Sequence, residues 1–217
     1  MTDAHFHRAV YETFLACPGR EVPFFGFHPW QVDAGGELDF EALSARVKAH
    51  PAAGVGEIGL DRLHNKTISM QQRTLFERQL ALAAELHRPV VLHGAKCWGE
   101  VVKACQPFVG RIPAFLFHGF SRSEGLLPAI CALNGFVSVG KALLNDHAVN
   151  YHALVKALPL ERLLIESDED LSNEPDVLAH LEQMGLLSRL AALRGMSCAE
   201  LEAVMDETAK RFVEALA

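Results

Sequence analysis

Short apolar runs alternate with longer amphipathic stretches along most of the chain. The runs PFFGFH (23–28), AAGVGEIGLD (52–61), PVVLH (89–93), AFLFH (114–118), GFVSVG (135–140) and RLLIESD (162–168) predict strands. Their nearly continuous apolar character implies burial on both faces, as in a parallel sheet covered by helices. Between them, residues 67–87 repeat Ile68, Leu75, Phe76, Leu80, Ala83 and Leu86 near the helical period, which predicts a helix. Residues 175–194 predict another, with Pro175 suited to its first turn, and Ser197 with Glu200 forms a capping box for a last helix over 198–216. The opening TDAHFH makes a seventh strand, and VYETFL (10–15) an eighth that follows it with no helix between. This order predicts an α/β protein, a (β/α)8 barrel of the TIM type shortened on its N-terminal side and built as one domain over 1–217. An open doubly wound sheet is the alternative, but no GxGxxG loop opens any helix.

In TDAHFH, His5 and His7 stand two positions apart. On a strand such residues share a face, and two imidazoles on one face are half of a metal site. Alone, an HxH reads first as a polar start with two solvated histidines, ahead of a metal site. The other run ends change that balance, because they close on His28, Glu57 and Asp61, His93, His118, and Asp168. A barrel gathers the C-terminal ends of all its strands on one face, where active sites are built. Each residue alone reads as a polar strand end, whereas the set reads as a metal centre.

Composition narrows the picture further. With 217 residues, half of them hydrophobic and 22% charged, the chain has enough apolar material for one large core. No segment approaches the roughly 18 unbroken apolar residues of a membrane span. No basic region followed by an apolar stretch marks a signal peptide, and the five cysteines are scattered without a CxxC, which together predict a cytoplasmic protein with reduced thiols. A net charge of −7 argues against a broad basic surface for duplex DNA.

The segments DAHFH, GFHPW, GEIGLD, VVLH, FHGF and LLIESD, in this order across nearly the whole chain, resemble the TatD-type metal-dependent nucleases and hydrolases of the amidohydrolase-like barrels. The resemblance implies that His5, His7, Glu57, His93, His118 and Asp168 bind two divalent metals. Departures accompany it. Only twenty-one positions separate His7 from His28, as in a short branch lacking the first helices. The final motif reads ESD followed by Glu169 and Asp170, which adds negative charge beside the metals. After FHGF come Ser121 and then Arg122, and Lys96 stands where the family has an arginine.

Two metals sharing a carboxylate polarise a phosphoryl or carbonyl oxygen and make water a nucleophile. Glu57 is the expected bridge, and Asp168 the expected metal ligand and proton acceptor. The mixed nitrogen and oxygen donors suit Zn²⁺, Mn²⁺, Ni²⁺ or Fe²⁺ ahead of Mg²⁺. His28 and Lys96 are expected to contact substrate, and Asp61 to support the site. Trp30 and Trp98 are expected to wall the pocket or pack in the core. His50, His64, His87, His147, His152 and His180 read as surface residues. The expected substrate is a nucleic-acid end or a small phosphodiester, with no membrane and no obligate protein partner. Hydrolysis of an ester or amide, such as an aminoacyl-tRNA bond or a small metabolite, is the alternative, followed by a non-catalytic barrel that binds metal or a partner.

Overall fold

The computed structural model describes residues 1–35, 38–121 and 124–216. The first three strands, β1 (Asp3–Ala9), β2 (Glu12–Cys17) and β3 (Arg20–Phe25), form an antiparallel meander. Two-residue turns join them, Val10–Tyr11 between paired Ala9 and Glu12, and Pro18–Gly19 between paired Cys17 and Arg20. The Pro18–Gly19 turn follows ordinary turn chemistry, with Gly19 at φ +84° in the second position. Tyr11 holds the same position at φ +63°, a left-handed conformation that costs a side-chain-bearing residue roughly 1–2 kcal/mol.

This meander corrects two expectations. The eighth strand covers Glu12–Cys17 rather than 10–15, and it runs antiparallel to both neighbours. A hairpin needs only two connecting residues, whereas a parallel connection needs a dozen or more. The short interval between His7 and His28 therefore holds two further strands but no helix. The PFFGFH run also leaves the sheet at Phe25, so that His28 caps a helix instead of ending a strand.

From β3 onward neighbouring strands are parallel and helices intervene. α1 (Pro29–Asp33) and α2 (Phe40–Ala49) lead to β4 (Gly54–Asp61), and α3 (Met70–Glu85) to β5 (Val90–Ala95). α4 (Trp98–Cys105), β6 (Phe115–Phe117), α5 (Leu127–Ala132), β7 (Gly135–Val139), α6 (Val149–Ala157) and β8 (Leu163–Ile165) follow, then α7 (Val177–Gln183), α8 (Leu186–Arg194) and α9 (Cys198–Val213). The helix expected over 67–87 starts at Met70, because the Ser69 hydroxyl accepts the Gln72 N–H and caps it there. The stretch 175–194 is two helices, broken around Met184 and Gly185. The Ser197–Glu200 capping box opens α9 as expected.

The eight strands lie in chain order and make a (β/α)8 barrel of the TIM type. Closure brings β1 against the segment after β8. The Asp168 N–H donates to His5 O (3.1 Å), the His7 N–H to Glu169 O (2.9 Å), and the Leu171 N–H to His7 O (2.8 Å). Asp3 Oδ1 adds a clasp, accepting the N–H groups of Ser167 (3.0 Å) and His5 (3.2 Å). Burial pushes the Asp3 carboxyl up to about 7 in spite of these bonds. On the outside, Leu201, Met205, Ala209 and Phe212 of α9 are buried, and Phe212 stacks on Phe24 with ring centroids 5.9 Å apart. Buried Leu, Met and Phe side chains of this kind contribute roughly 1.5–3 kcal/mol each.

β4 carries a register irregularity against β5 between Val55 and Ile58, around Glu57. Bulges of this kind re-aim a side chain beside active sites. The same strand needs its glycines for close approach. A Cβ on Gly59 would lie 2.0 Å from His93 O on β5, and Gly59 itself sits at φ +156°. Gly59→Ala is therefore expected to destabilise the protein by about 2 kcal/mol or more. That is roughly a 4–8 °C fall in Tm for a chain of this length. A variant melting within a degree of the parent would show that β4 and β5 can separate freely.

Candidate metal centre

The strand ends converge as the barrel requires. Glu57, from the irregular part of β4, is almost fully buried and faces five imidazoles, each oxygen having its own group. Oε2 lies 3.4 Å from His5 Nε2 and 4.0 Å from His7 Nε2. Oε1 lies 2.7 Å from His93 Nδ1, 2.8 Å from His118 Nε2 and 3.4 Å from His28 Nε2. Asp168 Oδ1 completes the first group, 3.6 Å from His5 Nε2 and 3.8 Å from His7 Nε2. All six residues that the resemblance implies as ligands thus meet at one end of the barrel. His28, expected as a substrate contact, stands in the Oε1 group beside His93.

Hydrogen bonds outside the cluster fix these rings. Asp61 Oδ2 accepts from His93 Nε2 (2.9 Å) and from the Trp30 indole N–H (2.7 Å), while its Oδ1 accepts the N–H groups of Leu63 (2.6 Å) and His64 (2.8 Å). This holds the other nitrogen of His93 toward Glu57, the supporting role expected of Asp61. His28 is the N-cap of α1, its Nδ1 accepting the Trp30 N–H at 3.2 Å, and that leaves Nε2 for the cluster.

Charge distribution follows from this geometry. Burial alone would raise the pKa of Glu57, but the His118 charge and the close imidazoles of His118, His28 and His5 hold it well below the usual carboxylate range. Burial would lower His118, yet Glu57 and Glu166 push it well above the ordinary value. Burial lowers His5 and His28, each only partly offset by Glu57. For His93, hydrogen bonds to Asp61 and Glu57 outweigh burial and raise it. The Asp168 carboxyl is lowered: burial opposes ionisation, but the nearby His7 imidazole and the charges of His118 and His5 prevail. Asp168 also sits at φ +52°, a strained conformation of the kind that gathers at functional sites.

The donor set fits divalent cations. Both ring nitrogens of His5, Nδ1 of His7 and Nδ1 of His118 are buried without a hydrogen-bond partner among the described residues. Such orphaned atoms cost about 1–3 kcal/mol each when nothing satisfies them. His5 Nε2 points at both carboxylates, where a cation would satisfy it.

A cleft of about 350 Å³ opens onto the cluster, walled by Tyr11, Trp30 and Asp170 among others. Lys96 lies on the rim of an adjoining recess that also reaches His93, His118 and Asp168. Trp30 walls the cleft, whereas Trp98 packs in the core against Phe117 and Phe120. The acidic extension is tempered: Glu169 pairs with Lys141 and with His180 Nε2 (2.6 Å), leaving Asp170 exposed at the mouth. His180 is therefore half-buried in an ion pair rather than a free surface residue, and His152 is half-buried against Leu143 O at 3.1 Å. Arg122 lies outside the described residues. Sequence reasoning missed Tyr11, hidden in a run read as strand. It also missed Glu166, 3.7 Å from His118 Nδ1 and accepting the Ser138 hydroxyl.

Comparison with known proteins gives a consistent result. A family model described as TatD related DNase matches residues 2–214. A protein named 3′–5′ ssDNA/RNA exonuclease TatD from Yersinia pseudotuberculosis is 30% identical over 97% of this chain and 84% of its own length. One of the same name from Edwardsiella piscicida is 28% identical over 73% of this chain, and the match spans 66% of that relative. Among solved structures, a TatD homologue from Escherichia coli superposes with a TM-score of 0.75 at 23% identity, covering 87% of this chain and 75% of that one. A TatD family hydrolase from Entamoeba histolytica gives 0.70 at 15% identity, covering 88% and 74%. No helix among the described residues is long and apolar enough to cross a membrane.

An ion that binds only the folded chain raises its stability, by about 2.7 kcal/mol at a hundredfold excess over Kd. Divalent ions are expected to raise the Tm of the parent protein, and Glu57→Gln or His7→Ala to abolish most of that shift while keeping the circular dichroism of a folded α/β protein. An undiminished shift in both variants would place metal binding elsewhere.

Proposed function

Because this chain belongs to the TatD related DNase family, we propose that it is a divalent-metal-dependent phosphodiesterase acting on free single-stranded nucleic-acid ends. The observation that carries this reading is the division of Glu57, with His5 and His7 at one oxygen and His28, His93 and His118 at the other. That arrangement suits a carboxylate shared between two ions. When bound, such ions supply a Lewis acid for the phosphoryl oxygens and make water nucleophilic near neutral pH.

The protein groups divide the remaining work. Asp168 is ionised at neutral pH, half-exposed to the cleft, and turned through Oδ1 toward His5 and His7. Its Oδ2 takes the proton released as water attacks phosphorus, and returns it to the leaving alkoxide oxygen as the P–O ester bond breaks. Glu57, enclosed by imidazoles, holds its charge in place and takes no proton. Asp61 keeps His93 from rotating, and Lys96 meets a non-bridging phosphate oxygen from the rim.

Preference for ends rests on charge. The chain carries −7, and Lys141 near the pocket is committed to Glu169. A duplex binder instead neutralises many phosphates at once, and its affinity falls steeply with salt. The relatives' names, 3′–5′ ssDNA/RNA exonuclease, agree with this reading.

Asp168→Asn is expected to lower turnover at least ~10²-fold, the low end of what a positioned base supplies, with the divalent-ion shift in Tm largely retained. Near-normal turnover would remove Asp168 as the base. In a comparison of a small chromogenic phosphodiester, a single-stranded oligonucleotide and a closed circular plasmid, the first two are expected to be cleaved. Rapid plasmid nicking would refute the end preference. Silence on all three with cleavage of an ester or amide would transfer the same metal centre to carbonyl chemistry.

A further inference from the structure

The two hairpin turns serve as internal controls for each other. Both place their second residue in the left-handed region, with Gly19 at φ +84° and Tyr11 at φ +63°. The glycine is what such a turn asks for; the tyrosine accepts strain that the neighbouring turn avoids. The two turns sit at opposite ends of the barrel, and the Tyr11 turn, after the C-terminal end of β1, stands at the mouth of the metal cleft.

There the Tyr11 ring lies parallel to His28, with centroids 5.7 Å apart and an interplanar angle of 23°. Trp30 meets the same imidazole edge-on, at 4.8 Å and 82°. Trp30 is fixed by its indole bond to Asp61 yet remains 41% exposed, and Val10 beside Tyr11 is 76% exposed. Tyr11 also borders a second recess that contains Arg46. An apolar, aromatic rim is thus continuous with a metal centre on a chain of net charge −7.

We propose that Tyr11 and Trp30, both packed on the buried His28, form a stacking platform for the terminal base of a single strand whose last phosphodiester lies over the Glu57 cluster. The proposal rests on the phosphodiesterase reading and extends it by naming what holds the substrate. Base stacking tolerates any sequence, because every base has a π-face, and it needs no cationic groove. A base inside a duplex has both faces covered by its neighbours, and a paired terminal base has one, so only an unpaired end offers a base free to turn both faces to the rim. The platform therefore selects frayed or single-stranded ends without reading sequence. The strain at Tyr11 is then the cost of carrying an aromatic ring where the turn favours glycine.

The test uses the full chain loaded with a divalent ion and a single-stranded oligonucleotide whose last linkage is an uncleavable methylphosphonate. The fluorescent base 2-aminopurine is placed either at the 3′ end or in the middle, and its quenching reports stacking. The parent protein and Tyr11→Phe are expected to quench the terminal probe and not the central one. Tyr11→Gly is expected to weaken binding of the terminal probe about tenfold, the size of one lost base stack. Its Tm should equal or exceed that of the parent to within about 2 °C, because the turn strain is relieved. Absence of terminal quenching by the parent overturns the platform, as does Tyr11→Gly binding within about twofold of the parent. A large drop in Tm with unchanged affinity would make Tyr11 a structural residue only. Hydrolysis of the unmodified oligonucleotide is measured in parallel. Failure there refutes the phosphodiesterase reading, while the quenching result decides the platform by itself.

Discussion

A carboxylate with almost no access to water must be compensated by the groups around it, and Glu57 is compensated by five imidazoles. Much of the architecture serves that one constraint. β4 breaks register to aim Glu57 inward, and Gly59 lets the strand approach β5 closely enough to bring His93 within 2.7 Å. The cap of α1 fixes His28, and Asp61 holds His93 from behind. The ionised Glu57 and the raised pKa of His118 are two sides of one balance. A cation entering the cluster competes with that proton for the same nitrogen lone pair.

Most of the site was legible because a barrel converts strand order into spatial proximity. His5, His7, Glu57, His93, His118 and Asp168 come from five separate parts of the chain, yet each lies in a strand or just beyond its C-terminal end, and the barrel brings those positions together. What remained illegible was local chain direction. VYETFL reads equally well as parallel or antiparallel, since the apolar alternation of a strand carries no sign. Tyr11 was lost inside that run, because a tyrosine in a left-handed turn leaves no trace in a hydrophobic pattern. The division of 175–194 into two helices was hidden for a related reason: one face stays apolar across the break.

The acidic extension shows how composition misleads when geometry is missing. Glu169 and Asp170 add two charges beside Asp168 in the sequence, but Glu169 turns to Lys141 and His180 and only Asp170 faces the cleft. The same pairing occupies Lys141, one of the cations that would otherwise meet a phosphate. Local charge at the mouth therefore changes less than a count of residues suggests.

Barrel closure has a consequence in time as well as in space. The Asp168 N–H bonds to His5 O, and Asp3 clasps Ser167, across more than 160 positions of chain. The meander and the first parallel strands depend only on residues close in sequence and can pair as the chain emerges from the ribosome. The donors on β1, by contrast, have no Asp168 to face until synthesis has passed β8. Loops closed over such distances form late, because their entropy is lost before their contacts are gained. A nascent chain accordingly carries every member of the centre but Asp168 until then, and hydrolytic competence arrives only once the segment after β8 has been made.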